Sequence, residues 1–240
     1  RGGAGGRGTV SRMVRHGGAG VLLAGVLAAG VHADEAPQAP VWPDTALART
    51  EALALLQTLN ANLLSHDSAT LTLERWCAAH GMASPAKVTA EHVHGPARPL
   101  PDDLRAQLGI AAGESVAYRR VALRCGGRTL SEAENWYVPS RLTAAMNHTL
   151  ETTDTPFGKV VRPLHFRRRT LSAELLWSPL PSGWEQAAEL PADHAGLLPI
   201  PPRLLQHRAL LFDGEGHPFS ALIETYTDQV LAFEPPSAHP

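Results

Sequence analysis

Cysteine is nearly absent from this chain. Among 240 residues there are two, Cys77 and Cys125, and no CxxC pair. Neither a thioredoxin-like redox motif nor a cysteine-based zinc site is supported. Aromatic residues are also sparse, at 5%, and Met occurs three times. A basic excess is missing as well: 21 Lys and Arg stand against 23 Asp and Glu. That balance argues against broad nucleic-acid binding, which draws on a basic surface. What is plentiful is apolar surface, at 44%, with 21 Gly and 20 Pro. The composition is that of a globular protein with many turns and short elements, and the length suits one sizeable core.

The first 33 residues differ from the rest. Residues 1–12 are rich in Gly and Arg and read as an upstream extension. From Met13 a basic "MVRH" is followed by the apolar "GGAGVLLAGVLAAGV" and by "VHA", ending at Ala33. A basic start, an apolar middle and a small-x-small site are the parts of a secretory signal. The apolar run of 15 residues falls short of the roughly 20 needed to span a bilayer. A periplasmic or secreted protein with no membrane span after cleavage is therefore expected. Without a working leader it would remain cytoplasmic. The leader holds Arg1, Arg7, Arg12 and Arg15 and no acid, so cleavage leaves 21 − 4 = 17 basic against 23 acidic residues, a net charge of −6. In an oxidising compartment Cys77 and Cys125 are expected to pair; otherwise they are two separate buried thiols.

Residues 34–43 form a Pro-rich linker, and residues 44–240 read as a single domain. Asp44 and Thr45 offer N-caps for a helix through about Leu64, with Leu53, Leu56, Leu59 and Leu63 on one face. A second helix lies near "LTLERWCAAH". "KVTAEHV" reads as a strand and "PDDLRAQLG" as a short helix. "SVAYRRVALRC" and "RTLSEAENWYVP" flank Gly126-Gly127 and read as a hairpin. "SRLTAAMNHTLE" is helical with Ser140 as cap, and "TDTPFG" is a turn. "KVVRPLHFRRRTLSAELLW" reads as a long extended segment, bulged or at an edge because of Pro163. A last hairpin turns about "GEG". Strands joined by hairpins with helices set apart indicate an α+β fold with an antiparallel sheet.

The last strand puts apolar residues on both faces, so Glu224 is a carboxylate among apolar neighbours and needs a partner. "YRRVALRC" supplies arginines. Arg120 shares a face with Tyr118 and Ala122, and Arg119 shares one with Val121 and Leu123. Periodicity leaves open which of the two points inward. One guanidinium and one carboxylate facing a cavity would suit a small anion carrying a hydroxyl, the arginine gripping a carboxylate and the acid meeting the hydroxyl.

The order "YRRVALRCGGRTLSEAENWYVPSRL", "TDTPFGKVV", "HPFSALIETYTDQVL" resembles the chorismate–pyruvate lyase family, in a poorly characterised bacterial branch. The similarity runs from about Leu53 to Leu231. It implies a central antiparallel sheet with helices on one side enclosing a small-molecule pocket. It also implies cofactor-free chemistry that eliminates pyruvate from chorismate, or from a related enolpyruvyl or aromatic acid, to give a 4-hydroxybenzoate-type product. By position in the family, Arg120 would bind the substrate carboxylate and Glu224 the far end, the two forming the catalytic pair. Phe157 in "TPFG" and Leu71 before Thr72 would line the pocket. A monomer is expected. Two features depart from the pattern: chorismate is cytoplasmic, and Phe157 is larger than the usual aliphatic residue. The alternative is a periplasmic protein that binds a small aromatic carboxylate without turnover, since the same fold serves ligand-sensing domains of bacterial regulators. A third reading makes Arg120–Glu224 a buried structural ion pair. Arg167–Arg169 reads as a solvated charge run. His92 and His94 share a strand face but lack a third metal ligand.

Overall fold

The structure is a computed structural model that describes Gly2 and residues 40–238. The expected leader lies outside the described residues. Trp42, at the end of the expected linker, is fully buried and its indole donates to Leu231 O at 2.9 Å, so packing begins ahead of the first helix.

Six strands form one antiparallel sheet in the order β1-β2-β3-β6-β5-β4. They are β1 (Val88–His92), β2 (Ala117–Cys125), β3 (Arg128–Tyr137), β4 (Arg167–Leu175), β5 (Arg203–Phe212) and β6 (Pro218–Thr227). The helices are α1 (Ala46–Leu64), α2 (Ala69–Ala79), α3 (Asp102–Leu108), α4 (Ala144–Thr152) and α5 (Phe157–Val160). The α+β class and the antiparallel sheet are as expected. Both hairpins form where glycine permits them. At Gly126, φ is +56° and a Cβ would stand 2.9 Å from Ala83 Cβ, so a larger residue is excluded twice over.

Helix starts follow cap chemistry. Thr45 Oγ1 accepts from Ala48 N at 3.1 Å, and Ser68 Oγ accepts from Leu71 N at 3.3 Å. The cap of α4 is Thr143 rather than Ser140, which sits in a preceding 3₁₀ turn. The segment after "TDTP" is not extended. Residues Phe157–Val160 and Arg162–Leu164 are helical, and β4 begins only at Arg167. Pro163 falls in the first turn of its 3₁₀ helix, where a missing N–H costs nothing.

Strand alternation gives the sheet two different faces. On the inner face, α1 and α2 pack over one cluster that includes Leu56, Leu59, Leu73, Val121, Leu123 and Tyr226. The helices α4 and α5 cover a second, with Met146, Leu150, Leu211, Phe219 and Leu222. On the outer face only α3 packs, through Leu104 and Leu108 against Trp136, Leu210 and Ala221. The expectation of helices on one side thus holds for α1, α2, α4 and α5, while α3 takes the other. Cys77 of α2 and Cys125 at the end of β2 are disulfide-bonded and fully buried, which ties the inner helical layer to the sheet.

Candidate functional site

A narrow cavity, open to solvent on one side, lies on the inner face between the two clusters. Its floor is the sheet, through Val121, Leu123, Ala133, Leu211 and Leu222. Phe157 and Phe166 supply aromatic walls, and Asp67, Ser68 and the first turn of α2 with Gly158 form the roof. Gly158 has an ordinary backbone angle, and a Cβ there would meet Ser68 Oγ at 3.4 Å, an ordinary contact. Phe157 is held from behind by Tyr137 and Phe219, at ring distances of 5.5 and 6.3 Å. Seven polar residues line it: Asp67, Ser68 and Thr70 in the roof, and Arg119, Asn135, Arg168 and Glu224 from the sheet.

Arg119 is 5% exposed and has no acidic partner within ion-pair distance among the described residues. Its Nη2 donates to Thr155 O at 3.2 Å and lies 3.0 Å from His92 Nε2. Its Nε and Nη1 are buried without a partner. Burial pulls this guanidinium below its usual pKa.

At the other end, Arg168 Nη2 lies 2.7 Å from Glu224 Oε2, with both side chains under a tenth exposed. Tyr226 Oη donates to the same oxygen at 3.1 Å. Burial opposes the charge on Arg168, but Glu224 outweighs it and raises the guanidinium pKa. Burial, and then Glu224, raise the Tyr226 phenol well above its usual value. Behind them His207, opposite Glu224 on β5, is fully buried and pairs through Nε2 with Asn60 Oδ1 at 2.8 Å. Burial, and then Arg168, push its pKa down to about 4.

Of the residues expected at the site, Glu224 and Phe157 line the cavity, and Arg120 and Leu71 do not. Arg120 lies on the outer face, where its Nη2 pairs with Glu132 Oε2 at 3.1 Å. The reason is strand parity: Glu224 faces the same way as Ala133 and Val121, hence as Arg119. Leu71 is 39% exposed on the outside of α2, and Thr70, one residue earlier, is the residue that lines the cavity. Arg168 is the largest departure. The middle arginine of the run read as solvated is the buried partner of Glu224. Two signals pointed this way. Alternation alone left the choice of arginine open, but comparing the two sets as wholes separates them: Arg119, Val121, Leu123, Cys125 is more apolar than Tyr118, Arg120, Ala122, Arg124. A buried Glu224 also required a cation from some neighbouring strand. Asn135 carried no such signal. His92 is engaged by Arg119, and among the described residues no three His, Cys, Asp or Glu side chains are grouped to hold a metal ion.

No protein-family model matches the chain. It is 56% identical over 200 residues to the uncharacterized protein y4mC of Sinorhizobium fredii (strain NBRC 101917 / NGR234), covering 83% of this chain and 84% of the other. Similar solved structures include PhnF from Mycobacterium smegmatis, at 15% identity and a TM-score of 0.46, over 71% of this chain and 68% of that one. Another is YydK of Bacillus subtilis subsp. subtilis str. 168, described as a possible transcriptional regulator, at 19% identity and a TM-score of 0.36. The match covers 61% of this chain and 61% of YydK, so this chain spans about three fifths of that protein.

Proposed function

We propose, for a chain that belongs to the same family as y4mC of Sinorhizobium fredii, that the inner cavity receives one small aromatic carboxylate. The observation that carries this reading is Arg119. A buried guanidinium with two nitrogens lacking acceptors is costly, and a ligand carboxylate would supply both charge and acceptors. Phe157 and Phe166 give an aromatic ring its walls. At the far end Oε2 of Glu224 takes the contacts from Arg168 and Tyr226, so Oε1 is left to accept from a ligand hydroxyl. Arg119 and Glu224 stand two strands and two residues apart, about 12 Å between Cα atoms at ordinary sheet spacings. Two long side chains reaching inward shorten that gap toward the length of a para-substituted benzoate. Calorimetric titration with 4-hydroxybenzoate is expected to show binding that weakens at least about tenfold in Arg119→Gln. Equal binding by wild type and variant would remove the basis of the reading.

Turnover is the second reading, and the position of Glu224 favours it. The resemblance to chorismate–pyruvate lyases puts the oxygen that becomes the phenol at this carboxylate. The residues would orient the acid, neutralise its ring carboxylate and exclude water, while aromatisation drives elimination. Incubation with chorismate, with released pyruvate reduced by lactate dehydrogenase and NADH, decides between lyase and receptor. No NADH consumption leaves the receptor. Export is part of the receptor reading, supported by the leader Met13–Ala33 and by the buried disulfide. Sequencing the N-terminus of the cellular protein checks it, with Asp34 the expected first residue.

A further inference from the structure

We propose that Asn135, fixed by Ser220, is the second arm of the Arg119 site and makes it selective for a carboxylate over a neutral group of the same shape. This rests on the carboxylate-binding reading of the cavity. Asn135 and Arg119 are cross-strand partners on β3 and β2, so their side chains enter the cavity side by side. Asn135 is 5% exposed. Ser220, fully buried on β6, donates its hydroxyl to Asn135 Oδ1 at 2.5 Å. That contact occupies the amide oxygen and turns the other end of the amide away from Ser220. Asn135 Nδ2 is then buried without any acceptor.

Three donor atoms on this cross-strand pair are therefore left unpaired, Arg119 Nε, Arg119 Nη1 and Asn135 Nδ2; at the far end Arg168 Nη2 also lacks hydrogen-bond geometry, although it lies 2.7 Å from Glu224 Oε2. Each buried, unsatisfied donor is destabilising, and a protein retains several together only where something else satisfies them. Between them they offer N–H groups and no acceptor. A carboxylate, with two oxygens and about four lone-pair sites, can accept from all three. A carboxamide of equal size brings its own NH₂, for which this end of the cavity offers nothing. Ser220 acts one step removed: it touches no ligand and sets which end of the amide the ligand meets. The assignment gives Asn135 a role distinct from that of Arg119. Arg119 supplies charge, and Asn135 rejects donors.

The test compares 4-hydroxybenzoate with 4-hydroxybenzamide by calorimetry on the wild-type chain and on Asn135→Asp, Asn135→Ala and Ser220→Ala. Wild type is expected to prefer the acid. In Asn135→Asp a new carboxylate satisfies Arg119 and repels the ligand's own. Acid binding should fall about 100-fold while the amide changes less than about threefold, collapsing the preference. Asn135→Ala is expected to weaken the acid about tenfold, and Ser220→Ala by roughly threefold, because its amide can then rotate. Should Asn135→Asp fail to fold by circular dichroism, the other two variants carry the same comparison. An unchanged acid-to-amide ratio in all folded variants overturns the assignment of Asn135 while leaving the carboxylate site intact. Parallel loss of both ligands overturns it too, since that is what a merely structural residue would show. If wild type binds no aromatic acid at all, the underlying reading fails first and this one with it.

Discussion

Arg119 and Arg120 are neighbours in sequence and opposites in structure. On the inner face, Arg119 is 5% exposed, surrounded by apolar walls and without an acidic partner among the described residues. On the outer face, the Arg120 side chain is 35% exposed and paired with Glu132, beside a second pair between Arg98 and Glu134. Tyr118 also donates to Glu134, at 2.8 Å. On the outer face Arg98, Arg120 and Arg208 each meet an acid in reach of water, while Arg203 beside them stands free in solvent with no acid within ion-pair distance among the described residues. On the inner face Arg168 meets Glu224, while Arg119 in the cavity is left open among the described residues. Charge matched in place is the signature of structure, whereas charge left unmatched under a roof is the signature of a site.

The sharpest way to break this comparison is to remove a cation from each face. Arg168→Ala strips a buried carboxylate of its counter-charge and leaves Glu224 with one hydrogen bond, from Tyr226. A loss of about 3–5 kcal/mol in urea denaturation is expected. Replacing both members, Arg168→Met with Glu224→Gln, should recover part of that loss, because no uncompensated charge remains. If Arg168→Ala costs less than about 1 kcal/mol, the pair is wetter than its burial implies and the contrast between the faces weakens.

How much of this was legible in the sequence depends on which kind of signal each part required. The sheet and its hairpins followed from alternation and glycine, and α1, α2 and α3 from caps and spacing. Glu224 was legible because an acid in an apolar strand is a local anomaly, and Phe157 only through the place of its "TPFG" turn in the family pattern. The inward arginine was half legible. Parity narrows it to alternate residues, but one position decides the face, and position within the family pattern pointed to Arg120. Arg168 was hidden by its flanks: Arg167 and Arg169 are exposed, and only the pairing of β4 with β5 turns the middle side chain inward. Asn135 and Ser220 are unremarkable until β3 and β6 are in register, where a long-range contact joins residues 85 positions apart. Local chemistry was readable, and what strand pairing brings together was not.

A second test uses protons instead of mutations. His207 is held neutral by its burial and by Arg168, with a pKa near 4 in the folded protein, against about 6.5 in an unfolded chain. Between these values the unfolded state binds more protons than the folded one, so stability rises with pH across that window. Acidification from pH 7 should therefore destabilise the protein progressively below about 6.5, levelling off for this residue near 4, with at most about 3 kcal/mol at stake. Denaturation midpoints at pH 7 and pH 4.5, compared between wild type and His207→Gln, isolate the contribution. The wild type should lose more than the variant. Equal losses would mean that His207 is not held neutral beside Arg168.

The smallest effect is the most informative about the outer face. Arg120→Ala removes a cation of the same kind, on the same strand, one residue from Arg119. Its ion pair with Glu132 is partly exposed on both sides, so water and salt already screen it and will solvate the carboxylate left behind. The expected change is under about 1 kcal/mol, smaller still in high salt, with no change in affinity for any ligand of the inner cavity. Glu132→Gln should behave alike, and the double variant should show a coupling of the same small size. A loss approaching that of Arg168→Ala would mean that the outer ion pairs are shielded from water by something that covers this face. The two sides of the sheet would then differ in what sits on them and not in how their charges are matched.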